Sequence, residues 1–195
     1  MEFWKEVILV SGMTNSKKAV IWRWALALVV AMAVVNFIRY FLVDVMVVKG
    51  ASMYPTLIND ERLVVNRLGI FCGKPERDDL VVFDLKNDRK LIKRVIAVGG
   101  DRVAMRNGKI YINGNLVPEP YVWVDNLQGP DSTDFAEQIV PEGHIFVLGD
   151  NRNNSMDSRS SRVGMVDDNN IVGYVLFSVW PIKEVGRDLC SLPVS

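Results

Sequence analysis

Hydrophobic positions fall into two regimes along this chain. From Ala19 to Ile38 the run AVIWRWALALVVAMAVVNFI is apolar almost without a break. Beyond Asp44 the apolar residues come in short bursts, punctuated by Gly, Pro, Asn and Asp. The first regime predicts one membrane-spanning helix, because about twenty helical residues reach ~30 Å, the thickness of a hydrocarbon core. The second predicts strands at 45–48, 63–65, 80–83, 91–98, 109–112, 145–148 and 173–179, each short and rich in β-branched or aromatic residues. Asn107-Gly108 and Asn113-Gly114 are hairpin-turn dipeptides. No long stretch of helical period follows Ile38. The expected fold is therefore mostly β, an antiparallel folded sheet or barrel behind one N-terminal helix. Residues 124–136, with Gly129-Pro130-Asp131-Ser132, read as a surface loop.

Charge orients the span. Lys17, Lys18 and Arg23 precede its apolar centre, whereas Arg39 and Asp44 follow it. The positive-inside bias places the N-terminus in the cytoplasm and the rest outside the cell membrane. Trp22, Trp24, Tyr40 and Phe41 suit the two interfaces. The division expected is a tail at 1–18, a span at 19–38, an extracytoplasmic domain at 39–183 and a second tail at 184–195. Ala31-Met32-Ala33 has the small-x-small form of a signal-peptide cleavage site, but Val34 and Val35 continue the apolar run past it, which favours a retained anchor. Self-cleavage there stays open.

Composition narrows the chemistry. The chain has 195 residues, and its formal net charge of +0 offers no footprint for nucleic acid. Cys72 and Cys190 are too few and too far apart for a disulfide framework; both read as unpaired, with one bridge left open. The single histidine, His144, sits in a turn before a strand and cannot build a histidine-rich metal site. No metal or organic cofactor is expected.

A serine hydroxyl needs a base to act as a nucleophile. With histidine scarce, lysine is the alternative, provided that burial strips its proton. Lys93 lies in a strand-like run among Ile92, Val95 and Ile96, so it can face a dry interior while Arg94 faces solvent or an acid. Ser52 follows Gly50 and precedes Pro55, a setting that can present a hydroxyl and aim its own N–H at an oxyanion. The polar stretch from Gly149 to Arg159 could support such a site, with Ser155 orienting an amine and Asp157 pairing with Arg159. Alone, each of these features is an ordinary turn, strand face or solvated loop.

Together they resemble type I signal peptidases, membrane-bound serine proteases that remove signal peptides from exported proteins. Ser52-Met53-Tyr54-Pro55-Thr56-Leu57 matches the serine box, Lys93-Arg94-Val95-Ile96 with Gly100-Asp101 the lysine box, and 149–159 the late polar box. Residues 77–83 match a further segment, with Asp78 where the family usually has glycine. The resemblance implies Ser52 as nucleophile, Lys93 as general base, Ser155 as the hydroxyl that positions the amine, and Asp157 with Arg159 as a structural ion pair. It also implies an oxyanion hole built on the nucleophile's own N–H. Gly50 stands where some members supply a second hydroxyl, as in the Gram-positive-like branch. Val48, Gly50, Met53, Leu91 and Ile92 are the candidates for shallow substrate pockets that accept alanine. The implied partners are signal-peptide-bearing preproteins and membrane lipid, without nucleic acid or an obligate protein partner. Two rival readings are a self-cleaving repressor with a Ser-Lys dyad, disfavoured by the span, and a catalytically silent membrane-anchored module that binds exported chains.

Overall fold

The computed structural model describes residues 15–41, 43–69, 73–85, 89–122 and 134–181. Helix α1, Asn15–Phe41, runs longer at both ends than the predicted span. Its apolar window, Lys17–Phe37, has the length and composition to cross a membrane, and none of it is covered by protein. A helix that is apolar on all sides is of the kind that a bilayer can accommodate. It forms one compact unit, residues 1–42; residues 43–195 form the other.

The second unit is built from eleven strands: β1 (Val43–Val47), β2 (Arg62–Asn66), β3 (Leu80–Leu85), β4 (Arg89–Val98), β5 (Arg102–Arg106), β6 (Lys109–Ile112), β7 (Asn115–Leu116), β8 (Phe135–Ile139), β9 (His144–Leu148), β10 (Val166–Asp167) and β11 (Ile171–Trp180). Seven make one sheet in the order β1-β2-β11-β3-β4-β9-β10, and four make another in the order β7-β6-β5-β8. Every pairing is antiparallel. The barrel alternative is thereby corrected. Both sheets are open, because β1 and β10 end the larger one without pairing to each other, and β7 and β8 end the smaller.

Both Asn-Gly turns form as expected. Asn107 and Gly108 have φ of 52° and 70°, and Asn113 and Gly114 have 54° and 82°, the left-handed pairs that a two-residue hairpin requires. Asp134 reinforces the first turn by accepting from the N–H groups of Asn107 and Gly108. The predicted loop at 124–136 is corrected at its end, where β8 begins at Phe135 and pairs with β5; residues 123–133 lie outside the described residues. Cys72 and Cys190 lie outside them too.

Three apolar clusters hold this unit together. Ile96, Val103, Met105, Ile110, Phe146 and Leu148 join β4 and β9 to the smaller sheet. Val81, Phe83, Val95, Ile145 and Val147 pack on the larger sheet. Val48, Met53, Leu57, Leu63 and Leu80 form the third, beneath the loop that carries Ser52. Burying each of these side chains contributes about 1.5–3 kcal/mol relative to exposure. Strand β4 lies between β3 and β9, and residues 93–97 are all buried. Lys93 and Arg94 are therefore both enclosed, although adjacent strand positions point to opposite faces.

Candidate active site

The loop between β1 and β2 is closed at its base, where Val48 N–H donates to Glu61 O and Asp60 N–H to Val48 O. Its interior is anchored by Met53 and Leu57, both buried in the third cluster. Between these anchors a turn forms, with Tyr54 N–H donating to Ala51 O at 3.1 Å. That turn presents Ser52, half-buried, toward β4.

Lys93 reaches it. Nζ lies 2.6 Å from Ser52 Oγ and donates also to Ile92 O at 3.0 Å. The lysine is only 2% exposed. Burial pushes its pKa down to about 8 from an ordinary value of 10.5, with Asp157 and Asp150 pulling upward and Arg159 adding to the depression. A neutral amine is therefore accessible near neutral pH, and its lone pair can then accept the proton of the serine hydroxyl it touches.

Charged pairs surround the dyad without entering it. Arg94, 0% exposed, faces an acid: it donates from Nε and Nη2 to Asp150 at 3.0 and 2.7 Å. Thr56 Oγ1 donates to the same carboxylate at 2.5 Å. Asp150 thus ties the serine loop, β4 and the late polar stretch to one buried point. Arg94 also donates to Asp78 O at 3.1 Å and stacks 3.9 Å from the centre of the Tyr121 ring. Asp157 and Arg159 pair as predicted, through two contacts of 2.8 Å, and Asp157 also accepts from Gly149 N–H at 3.1 Å. Burial acts to raise the Asp157 pKa, but the Arg159 guanidinium and the Gly149 N–H outweigh it and hold the carboxyl below its usual range.

Other predicted residues sort unevenly. Val48, Met53, Leu91 and Ile92 line a cleft of about 160 Å³ that opens on Ser52 and Lys93, joined there by Met46, Val47, Lys49 and Lys90. Gly50 is not among the lining residues; with φ +101°, it gives its N–H to Asn59 Oδ1 at 2.9 Å. The Ser155 hydroxyl is enclosed beside Asp157, and the expected bond to the Lys93 amine is not made. His144 lines a separate small cavity with Lys74, Glu142 and Asp168. Among the described residues no cluster of His, Cys, Asp and Glu has the arrangement of a metal site.

Sequence reasoning missed three participants. Thr56 and Asp150 carry no signal beyond their place in the serine box and the late polar box, since only folding brings them together. Gly149 is the third. A Cβ there would stand 2.5 Å from both Ser155 Cβ and the Ser52 carbonyl oxygen, so only glycine lets these two segments meet. At Asp78 the backbone explains the family's glycine, because its φ is 72°, in the region where glycine is unstrained.

The family model described as signal peptidase, peptidase S26, matches residues 21–180. The chain belongs to the signal peptidase S26 family. This S26 peptidase is 40% identical over 178 residues to signal peptidase I S of Bacillus subtilis, an alignment covering 88% of this chain and 96% of that one. It is 42% identical over 172 residues to signal peptidase I of Bacillus caldolyticus, covering 84% and 91%. A crystal structure of a signal peptidase I from Enterococcus faecalis aligns with a TM-score of 0.47 and 33% identity, covering 53% of this chain and 98% of that chain. The S26 peptidase described here is an enzyme of the signal peptidase I kind.

Proposed function

We propose that this chain is a membrane-anchored endopeptidase that removes N-terminal signal peptides from exported preproteins after a small-x-small site, with Ser52 as nucleophile and neutral Lys93 as general base. The observation that carries the reading is the 2.6 Å contact between the Ser52 hydroxyl and a buried amine whose pKa lies near 8. In the first step Lys93 takes the Ser52 proton while Oγ attacks the scissile carbonyl carbon. The developing oxyanion is met by the Ser52 N–H. Collapse breaks the peptide C–N bond, and the Lys93 ammonium returns the proton to the leaving amine. Water, deprotonated by the same lysine, then attacks the ester carbon; the C–Oγ bond breaks and the Lys93 ammonium returns its proton to Ser52 Oγ.

Substrate binds as an added strand. Among the described residues, edge strand β1 pairs only with β2, and residues 89–93 of β4 pair only with β3, so two backbone edges border the cleft. Val48, Met53, Leu91 and Ile92 give it apolar walls suited to small side chains such as alanine. Preproteins with alanine at the first and third positions before the cut are the substrates expected. Replacing the first of these by phenylalanine should lower kcat/KM by at least about tenfold, and equal cleavage of the two preproteins would refute the pocket assignment.

Helix α1 holds the enzyme in the cell membrane, with the N-terminus cytoplasmic and the sheets outside, and lipid is its surrounding. No nucleic acid, metal or obligate protein partner is required. The decisive experiment compares the purified full chain with Ser52→Ala and Lys93→Ala on a model preprotein in detergent. Each variant should lose cleavage while keeping its melting transition; turnover at the unmodified rate in either would end the proposal.

A further inference from the structure

Asn151 makes two contacts with the serine loop that the chemistry above leaves unused. Its backbone N–H donates to Ser52 O at 3.1 Å, and its side-chain Nδ2 donates to Ala51 O at 3.1 Å. The second contact matters most. Ala51 C=O and Ser52 N–H belong to one planar trans peptide and point in opposite directions. Whatever holds the carbonyl therefore aims the N–H. Ala51 O accepts from Tyr54 N–H across the turn and from the Asn151 amide, so both of its lone pairs are engaged. Donation to the carbonyl also polarises the peptide and strengthens its N–H as a donor.

We infer that Asn151 is a positioning residue for the oxyanion hole: its side-chain amide orients and polarises the Ala51–Ser52 peptide so that the Ser52 N–H meets the charge on the tetrahedral intermediate. The inference rests on the proposed roles of Ser52 and Lys93. Removing a whole oxyanion donor costs about 10²–10³ in kcat. Here the donor remains and its peptide loses one of two restraints, so the expected loss is roughly ten- to a hundredfold. The effect should appear in kcat, because a substrate carbonyl in the ground state carries little charge for the N–H to meet.

Asn151→Ala and Asn151→Asp test it. The second is isosteric but presents a carboxylate that cannot donate, and both keep the backbone contact to Ser52 O. The substrate is a peptide with alanine at the first and third positions before the cut, assayed on the full chain in detergent. The second probe is a peptide aldehyde of the same sequence. Its carbonyl carbon bonds to Ser52 Oγ, the hydroxyl proton passes to Lys93, and the aldehyde oxygen takes the oxyanion position. Both variants should lose roughly ten- to a hundredfold in kcat with KM changed by less than about twofold, and aldehyde affinity should fall in parallel with kcat/KM. Asn153→Ala, an exposed neighbour in the same short 3-10 turn (Arg152–Asn154), should match the unmodified chain. Unmodified kcat in both Asn151 variants, a kcat loss without loss of aldehyde affinity, or failure of both to fold would overturn the assignment. Inactive Ser52→Ala beside fully active Asn151 variants would sink this inference alone; an active Ser52→Ala would sink the reading of the site beneath it.

Discussion

Lys93 combines a proposed catalytic role with a stability cost. As the proposed base it must be neutral, so kcat/KM should rise with pH and level off above about 8, where the buried amine has lost its proton. A profile flat from pH 6 to pH 9 would contradict that role. The same burial works against folding. Because the folded-state pKa lies below the unfolded value, the cost is fully present below about pH 8 and disappears as pH rises toward the ordinary value of 10.5. A depression from 10.5 to about 8 corresponds to roughly 3 kcal/mol. Lys93→Met, similar in volume and uncharged, should therefore be inactive yet more stable at pH 7 by on the order of 2–3 kcal/mol, with the gain shrinking as pH rises from about 8 and nearly gone by about 10.5. Denaturant titrations at the two pH values check both magnitude and direction. Arg94, one residue along, shows the other outcome for a buried charge. Asp150 accepts two of its N–H groups at 3.0 and 2.7 Å and so offsets the burial of its charge.

At the scale of elements, the site is a meeting of one loop, one central strand and one polar turn. Met53 and Leu57 seat the loop, β4 delivers the lysine, and Gly149 lets the turn at 149–159 press against Ser52. Gly149→Ala should leave the sheets folded but displace Ser155 or the Ser52 carbonyl, lowering kcat by about a hundredfold, since misplacement by ~1 Å has that effect. Unchanged turnover in that variant would show that the two segments tolerate separation. Strands with dense β-branched runs, such as β3, β4 and β9, were legible from pattern alone. Strands β5 and β8 were not: RVAMR and FAEQI are short, carry polar residues and gain their strand state by pairing with each other. Two-residue strands β7 and β10 likewise exist only through a partner.

At the scale of the molecule, an apolar helix and a separate compact β unit would divide the proposed anchoring from the proposed chemistry. Deleting residues 1–41 should leave a folded unit that cleaves a soluble peptide at nearly the rate of the full chain. On a preprotein held in lipid vesicles it should be slower by at least about tenfold, because confinement to one surface raises effective concentration. Equal rates of the two forms on vesicles would argue against the anchoring role.

The amino-acid order alone determined the long apolar helix, the preponderance of strands, both Asn-Gly hairpins and the serine and lysine proposed as the reactive pair. Those properties arise from local chemistry: twenty apolar residues, alternation of side chains, and a serine and a lysine in recognisable company. Only the tertiary structure decided that the sheets stay open, that Arg94 is buried on Asp150 rather than solvated, that the Gly50 N–H is committed to Asn59, and that Asn151 grips the peptide before Ser52. Each of these joins groups far apart in sequence or leaves a strand edge without a partner. Hydrogen bonds and burial between distant segments follow from how the chain closes on itself, and no local pattern encodes them.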